Sequence, residues 1–264
     1  MQAIELDGGA LHYSDEGPRD APAVVFANSL GTDLRVWDPL LAAAPELAGT
    51  LRVIRWDKPG HGLSNAGAPN AISGYSAAME RLLDHLQVAR AAVVGLSVGG
   101  QIALDFARRA PERVTRAVFS NTAQKIGTPE LWAERIETAR ARGTAALAPA
   151  VLERWFSASW RAARPAEAAL WRAMVERTPG ESYAAVCEAL RDSDLTEAAR
   201  GLRAPALCVA GTEDGSTPPE VVRALAELIP GAGFEVLEGV GHIPCVEAPE
   251  ALAARIAPFL LAEA

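Results

Sequence analysis

Residues 91–107 read AAVVGLSVGGQIALDFA and place one serine between glycines, as Gly95, Ser97 and Gly99. An apolar run with two valines precedes the serine and a helix-like run follows it, which predicts a strand, a sharp turn and a helix. A G-x-S-x-G pentapeptide in this setting is typical of a nucleophile elbow, whose strained turn exposes the serine oxygen at the carboxyl edge of a sheet. The alternative is a serine that only caps the following helix.

Strand-like and helix-like segments alternate along most of the chain. Residues 2–14 alternate around an Asp-Gly-Gly turn and predict a short hairpin. Residues 73–90 predict an amphipathic helix, because apolar residues recur three and four positions apart. Strands that alternate with helices of about ten or more residues indicate βαβ units, so we predict an α/β fold with a mostly parallel sheet. Further strands are predicted within 21–31, 51–62, 114–123, 204–215 and 233–242, and further helices within 99–110, 218–229 and from 249 onward.

A helical insertion interrupts this alternation after about residue 124. No β-branched run occurs there, alanine and arginine dominate, and four of the six tryptophans fall inside it. Thr128 followed by Pro129 reads as an N-cap and a first helical residue, and Gly143 is placed to end that helix. We predict a core formed by residues 1–124 and 201–264, with residues 125–200 as a helical cap.

Composition argues against several functional classes. The net charge of −8 and the pI near 5.1 are unfavourable for a nucleic-acid-binding surface. No apolar run approaches the roughly 18 residues of a membrane span, and the N-terminal residues do not resemble a signal peptide. Cys187, Cys208 and Cys245 form no CxxC pair, which is typical of a reducing compartment and offers no zinc motif. We therefore expect a cytoplasmic globular protein that binds neither nucleic acid nor a membrane.

A serine nucleophile needs a base that takes its proton, and the chain has four histidines. His242 follows the last predicted strand, at the carboxyl edge of the sheet, and is the candidate base. Structural roles are better explanations for His12 in the hairpin, His61 in a loop and His85 in a helix. A histidine base predicts that activity falls as the pH drops through about 6 to 7, where imidazole gains its proton.

The base needs a carboxylate that orients it, and this group is expected at another strand end. Asp214 follows the strand within 204–215 and is the preferred candidate, because it lies deeper in the turn and is shorter and stiffer than its neighbour. That neighbour, Glu213, remains an alternative, whereas the position after the preceding strand carries Asn121. The chain order Ser97, Asp214, His242 is the order of α/β-hydrolase triads.

Acyl transfer also needs hydrogen-bond donors for the oxyanion of the tetrahedral intermediate. The backbone N–H of Val98, directly after the serine, is one candidate. The second is expected in the loop NSLGTD after the strand within 21–31, where we assign it to the N–H of Leu30. Gly31 leaves the backbone room to turn at that point.

These motifs together resemble the α/β-hydrolase superfamily over the whole chain, which implies an eight-stranded sheet with the helical insertion as its cap. The segments NSLGTDLRVWDPLL, RWDKPGHGLS, GLSVGGQIALDFA, ESYAAVCEALRDSDL and VAGTEDGSTPPEVV narrow the resemblance. Together they are similar to the 3-oxoadipate enol-lactonases, also called β-ketoadipate enol-lactone hydrolases. The resemblance implies that a small-molecule lactone is hydrolysed late in bacterial catabolism of aromatic compounds.

An enol is a good leaving group, so a Ser-His-Asp site suffices and we expect neither a metal nor an organic cofactor. The substrate carboxylate needs a cation or several donors, and the insertion is rich in arginines. We name Arg135 as its candidate partner, and Trp132 and Trp155 as candidate walls of the substrate pocket. A general carboxylesterase or a cofactor-free perhydrolase would share the same triad, and a non-catalytic ligand receptor would share the fold.

Three positions depart from the superfamily pattern. Many members carry His-Gly where this chain has Asn28-Ser29, although the enol-lactonases often have Asn-Ser. Arginine usually precedes the Gly-His-Gly sequence, where this chain has Lys58-Pro59. A Pro-Cys pair follows His242, where polar residues are expected.

Overall fold

The computed structural model describes residues 1–262, and eight strands within that range form a single sheet. The strands are β1 Gln2–Leu6, β2 Gly9–Glu16, β3 Ala23–Ala27, β4 Arg52–Trp56, β5 Ala91–Leu96, β6 Val114–Ser120, β7 Ala206–Gly211 and β8 Gly233–Leu237. Their order is β1-β2-β4-β3-β5-β6-β7-β8. Strand β2 pairs antiparallel with β1 and with β4, and the remaining pairs are parallel. The predicted α/β fold with a mostly parallel eight-stranded sheet is confirmed.

Helices connect the strands, and α5 to α10 all lie between β6 and β7. They are α1 Asp38–Ala43, α2 Pro45–Thr50, α3 Ile72–His85, α4 Val98–Arg109, α5 Pro129–Arg142, α6 Ala148–Trp155, α7 Ala158–Ala163, α8 Pro165–Glu176, α9 Gly180–Arg191, α10 Thr196–Arg200, α11 Pro219–Leu228, α12 Pro244–Glu247 and α13 Pro249–Leu261. This helical segment is where the cap is predicted, and the boundaries 125–200 remain a prediction. In the described part of the chain, no helix has the length and hydropathy that a bilayer span requires.

The sheet is buried on both faces, because side chains that alternate along each central strand enter two separate apolar layers. Val25 and Val93 pack in one layer, and their neighbours Val24 and Val94 pack in the other. Every residue of β3, β4, β5 and β7 is buried. Such continuous apolar strands are expected of a parallel sheet covered by helices on both sides.

Local signals account for the helix boundaries. The Thr128 side chain accepts a hydrogen bond from the Leu131 N–H at the start of α5, and Gly143 ends that helix with φ 73°, as predicted. The last helix, α13, begins at Pro249 as predicted, but the prediction lacked a short helix between His242 and Pro249. A short helix, α12, comes first, and Pro249 then begins a new helix because proline lacks the N–H that would continue the previous one.

The parallel strands deliver four polar residues to one edge of the sheet. Ser97 directly follows β5, and Asn121 directly follows β6. Asp214 lies three residues beyond the end of β7, and His242 lies five residues beyond the end of β8. Because β5, β6, β7 and β8 are adjacent and parallel, these residues gather at the carboxyl end of the sheet.

Candidate active site

Ser97 occupies the sharp turn between β5 and α4. Its backbone has φ 56° and ψ −121°, a left-handed conformation that a serine adopts only where the surrounding structure enforces it. A Cβ atom at Gly99 would collide with the carbonyl oxygen of Ala27, and one at Gly95 would collide with the first turn of α4. Both flanking glycines are therefore required by the close approach of the backbone. The turn has the geometry expected of a nucleophile elbow.

Backbone contacts with β6 hold this turn in place. The Ser97 N–H donates to the Ser120 carbonyl over 3.0 Å, and the Thr122 hydroxyl donates to the Ser97 carbonyl over 2.6 Å. The Ser97 side chain makes no hydrogen bond to any described residue, and Ser97 is 8% exposed. Within residues 1–262, no hydrogen bond joins the Ser97 hydroxyl to His242.

Asp214 and His242 form a buried pair. The Nδ1 of His242 lies 2.9 Å from Oδ1 and 2.8 Å from Oδ2 of Asp214, and the two residues are 2% and 4% exposed. The carboxylate also accepts hydrogen bonds from the Thr217 N–H and hydroxyl and from the Ser216 N–H. Burial alone would raise the pKa of Asp214, but the charge and hydrogen bond of His242, with the bonds from Thr217 and Asn121, lower it to about 2.

The structure distinguishes the two candidate acids. Glu213 is exposed, whereas Asp214 is buried and bonded to His242. Asn121 also contacts the candidate acid, which the sequence did not predict. Its side-chain N–H₂ donates to Asp214 Oδ2 over 3.0 Å and to the Gly241 carbonyl over 3.3 Å. Asn121 therefore ties the carboxylate to the loop that precedes His242. The position of Asn121 directly after β6 was the one feature of the sequence that could have indicated a place in the site.

The two candidate oxyanion donors are buried and unoccupied by protein groups. Within the described residues, neither the Leu30 N–H nor the Val98 N–H donates to a protein acceptor. Gly31 turns the loop with φ 76°. The start of this loop packs directly against the first turn of α4, since a Cβ atom at Gly99 would collide with the carbonyl oxygen of Ala27. Free amides at this position are what an oxyanion hole requires.

Two aromatic side chains of the cap cover the same loop. A Cβ atom at Gly31 would lie 3.3 Å from the ring of Tyr183 and 3.7 Å from the ring of Trp155. The Trp155 carbonyl also accepts a hydrogen bond of 2.8 Å from the His242 N–H. Trp155 thus contacts the loops on both sides of the candidate site, and its role as a pocket wall remains a prediction. Tyr183 was missed, because nothing local distinguishes it from a packed helical tyrosine.

The other two candidate substrate residues lie together on α5. Trp132 is buried, its indole N–H donates to the Ile126 carbonyl over 2.6 Å, and the Arg135 guanidinium lies 5.2 Å from its ring. Trp155 and Tyr183, and not Trp132, are the aromatic residues nearest to Gly31. The charge of Arg135 also reaches Tyr183, where it opposes the rise in phenol pKa caused by burial.

Arg135 is a half-buried cation that no carboxylate of the described residues approaches within 4.0 Å. A cavity of about 100 Å³ opens between α5 and α6, and its walls include Arg135 and Arg154. Arg154 packs against the turn of Asp214, because a Cβ at Gly215 would lie 3.4 Å from the Arg154 Cα. One residue of the cavity wall, Arg154, therefore adjoins the turn that carries Asp214.

This fold and this arrangement of serine, histidine and aspartate define a class of protein, and residues 22–249 match the alpha/beta hydrolase fold family. The chain belongs to that family. Within it, the chain is 34% identical to 3-oxoadipate enol-lactonase 2 of Acinetobacter baylyi, over 92% of this chain and 90% of that protein. The crystal structure of the enol-lactonase from Burkholderia xenovorans LB400 is 39% identical and superposes with a TM-score of 0.94, over 99% of this chain and all of that one.

A thermophilic esterase from Thermogutta terrifontis is also similar, at 26% identity and a TM-score of 0.90 over 98% of each chain. The predicted resemblance to the 3-oxoadipate enol-lactonases is confirmed by these relatives. The predicted enzyme class, a hydrolase of esters or lactones, is confirmed with it.

Proposed function

We propose that the enzyme hydrolyses 3-oxoadipate enol-lactone to 3-oxoadipate through an acyl-enzyme on Ser97, in the β-ketoadipate pathway of aromatic catabolism. The identity of 34% to an enol-lactonase over 92% of the chain supports the substrate most directly. The buried Asp214–His242 pair beside the strained Ser97 turn supports the mechanism. The three cysteines are buried and unpaired, which is compatible with a reducing cytoplasm.

Acylation begins when Ser97 Oγ attacks the lactone carbonyl carbon and its proton passes to Nε2 of His242. Asp214 accepts the hydrogen bond from Nδ1–H, so that Nε2 is the free acceptor, and the carboxylate stabilises the imidazolium that forms. The N–H groups of Leu30 and Val98 donate to the developing oxyanion. Collapse of the intermediate breaks the ring C–O bond, and the released enol oxygen takes the proton from His242.

Deacylation repeats this sequence with water as the nucleophile. His242 accepts a proton from water, whose oxygen attacks the ester carbon, and the same two N–H groups stabilise the second oxyanion. Collapse breaks the bond to Ser97 Oγ, which regains a proton from His242. The product is a carboxylic acid that also carries the enol, and the enol tautomerises to the ketone. Because the acyl carbon and the enol stay joined through the remaining carbon chain when the ring opens, the acyl-enzyme retains every atom of the substrate.

The free carboxylate of the substrate is assigned to Arg135, and the apolar ring is assigned to the surface of Trp155. Arg135 and Arg154 both line the cavity between α5 and α6, and neither has a carboxylate partner among the described residues. Arg135 is preferred because its charge also acts on Tyr183, whose ring lies against the loop at Gly31. Trp132 contributes indirectly, since its ring lies under the Arg135 guanidinium. These assignments place the anionic end of the lactone toward α5 and its carbonyl toward Leu30.

The test of the substrate is a comparison of kcat/KM for the enol-lactone with that for p-nitrophenyl acetate. We expect a marked preference for the lactone, because only the lactone carries a carboxylate that Arg135 can bind. The similar thermophilic esterase makes a carboxylesterase the second candidate. A preference for the simple ester would favour that candidate, and peroxide-dependent perhydrolysis exceeding hydrolysis would favour a perhydrolase.

Arg135→Gln is expected to raise KM for the enol-lactone by about 10- to 100-fold, the range of a hydrogen bond to a charged group. The KM for p-nitrophenyl acetate should stay within about twofold of wild type, because this ester has no carboxylate. Steady-state kinetics with both substrates measure the difference. Arg191→Gln is the matched control, since Arg191 already pairs with Asp192 on the surface. An equal rise in KM for both substrates would mean that Arg135 maintains the cap and does not bind the carboxylate.

A further inference from the structure

Lys58 is a fully buried lysine beside the candidate oxyanion loop. It is 0% exposed, and its Nζ donates to the Ser29 carbonyl over 2.5 Å and to the Thr32 carbonyl over 3.1 Å. No carboxylate in the described part of the chain lies within 4.0 Å of this ammonium. Lysine is among the residue types that are almost never fully buried unless paired, because removing the charge from water is unfavourable.

The need of these two carbonyls for a hydrogen-bond donor does not explain why Lys58 is buried. The Ser29 carbonyl also accepts a hydrogen bond of 2.9 Å from the Thr32 hydroxyl, and the Thr32 carbonyl accepts one of 2.8 Å from the Asn28 side chain. Both oxygens would therefore keep a donor if Lys58 were replaced by an apolar residue of similar length. A buried ammonium that the loop does not need for its own hydrogen bonds points to a role in the reaction.

The Ser29 carbonyl and the Leu30 N–H belong to the same peptide unit. A cation bound to the oxygen draws electron density from the nitrogen, so that the N–H becomes a stronger donor. The same contact opposes rotation of the peptide, which would turn the N–H away from the site. An ammonium at this point therefore acts on the oxyanion through one peptide group, without touching the substrate.

We propose that Lys58 is a positioning residue of the oxyanion hole, which orients and polarises the Ser29–Leu30 peptide so that its N–H stabilises the tetrahedral intermediate. The proposal rests on the assignment of Leu30 as an oxyanion donor in the proposed function. It does not depend on which ester or lactone is the substrate, because every acyl transfer at Ser97 forms an oxyanion.

The charge of Lys58 is sensitive to pH. Burial lowers the pKa of Lys58 to about 7, against the opposing attraction of Asp57 and Asp33. His61, the titratable neighbour, has a pKa held well below its usual value by burial and by the Lys58 charge, so it stays neutral. The rate should therefore decline on the alkaline side as Lys58 loses its proton, a limb that Ser97, His242 and Asp214 alone do not supply.

The contribution of Lys58 to the free energy of unfolding should rise with pH, whereas the rate falls. The folded pKa of about 7 lies below the ordinary lysine value of 10.5, so the unfolded chain binds more protons between these two values. The contribution of Lys58 to stability therefore rises with pH across that window. A replacement without charge should remove this dependence and should leave stability at pH 7 unchanged or increased.

Lys58→Met is the test, with kcat and KM measured for the enol-lactone and for p-nitrophenyl acetate between about pH 6 and 10. We expect kcat at pH 7 to fall by about tenfold or more for both substrates with KM within about twofold, since complete removal of one oxyanion donor costs about 10²- to 10³-fold. The inhibition constant of a boronic acid that forms a tetrahedral anion on Ser97 should rise by a similar factor. The alkaline limb should disappear. Lys125→Met is the matched control, because Lys125 lies on the surface beside Asp194.

Three results would overturn the proposal. The first is a kcat within twofold of wild type, and the second is a loss of kcat with no change in boronic-acid inhibition. The third is a wild-type profile without an alkaline limb, which is measurable even if Lys58→Met fails to fold. Failure of the proposed function looks different: the wild-type enzyme would not prefer the lactone, while the comparison of Lys58→Met with wild type would still proceed on p-nitrophenyl acetate.

Discussion

Replacing Ser97 with alanine is expected to lower kcat for the enol-lactone by about 10⁴- to 10⁶-fold, because loss of the nucleophile removes the acyl-enzyme route as a whole. The residual rate would come from binding and from the oxyanion donors. Folding should survive, since the Ser97 side chain makes no hydrogen bond within the described residues and the strained backbone is held by Ser120 and Thr122. Steady-state kinetics and urea unfolding of the same samples measure both quantities.

Ser193→Ala is the matched control for this replacement. The Ser193 hydroxyl is buried and has no hydrogen-bond partner in the described structure, so its removal should leave kcat unchanged. If Ser97→Ala retained wild-type turnover, the serine-hydrolase mechanism would be wrong. If neither the wild type nor Ser97→Ala turned over any ester or lactone, a ligand receptor on the same fold would become the better account.

The second large effect is expected for Asp214→Asn, with a fall in kcat of about 10⁴-fold near neutral pH. The asparagine amide would donate to Nδ1 of His242, so that the imidazole would carry its proton on Nε2 and would have no acceptor for the Ser97 hydroxyl. The change is nearly isosteric, and Asn121 and Thr217 remain in place around it. Kinetics from about pH 5 to 10 would measure the loss.

The neighbouring acid provides the control. Glu213→Gln should keep kcat within about twofold of wild type, because Glu213 is exposed and Asp214 alone bonds to His242. Equal damage from the two replacements would reopen the choice between the acids. Because the pKa of Asp214 is lowered to about 2, its charge is lost only as the pH falls through that value. The acid limb of wild-type activity is therefore not expected to report protonation of Asp214.

Much of the fold is predictable from local patterns. Apolar runs mark β3, β4, β5 and β7, and Thr128 and Gly143 mark the two ends of α5. The catalytic candidates are predictable for a related reason, since parallel strands bring their carboxyl ends to one edge of the sheet. Ser97, Asp214 and His242 each follow a recognisable strand, so their grouping needs only the fold class.

The remaining features depend on contacts between distant parts of the chain. Asn121 bonds to a carboxylate 93 residues later, and Tyr183 packs on the loop at Gly31 although α9 alone suggests an ordinary core residue. Lys58 is the clearest example, because a charged residue in a polar loop is expected on the surface. Its burial against Ser29 is set by how the loop after β4 folds beneath the loop after β3.

The most direct test of the central claim is mass spectrometry of the enzyme quenched in acid milliseconds after mixing with the enol-lactone. Opening the ring expels no fragment, so an acyl-enzyme must gain the full mass of the lactone. We predict that this added mass appears on the peptide that contains Ser97 and is absent from Ser97→Ala. An adduct on another residue, or continued opening of the lactone by Ser97→Ala at the wild-type rate, would contradict the account.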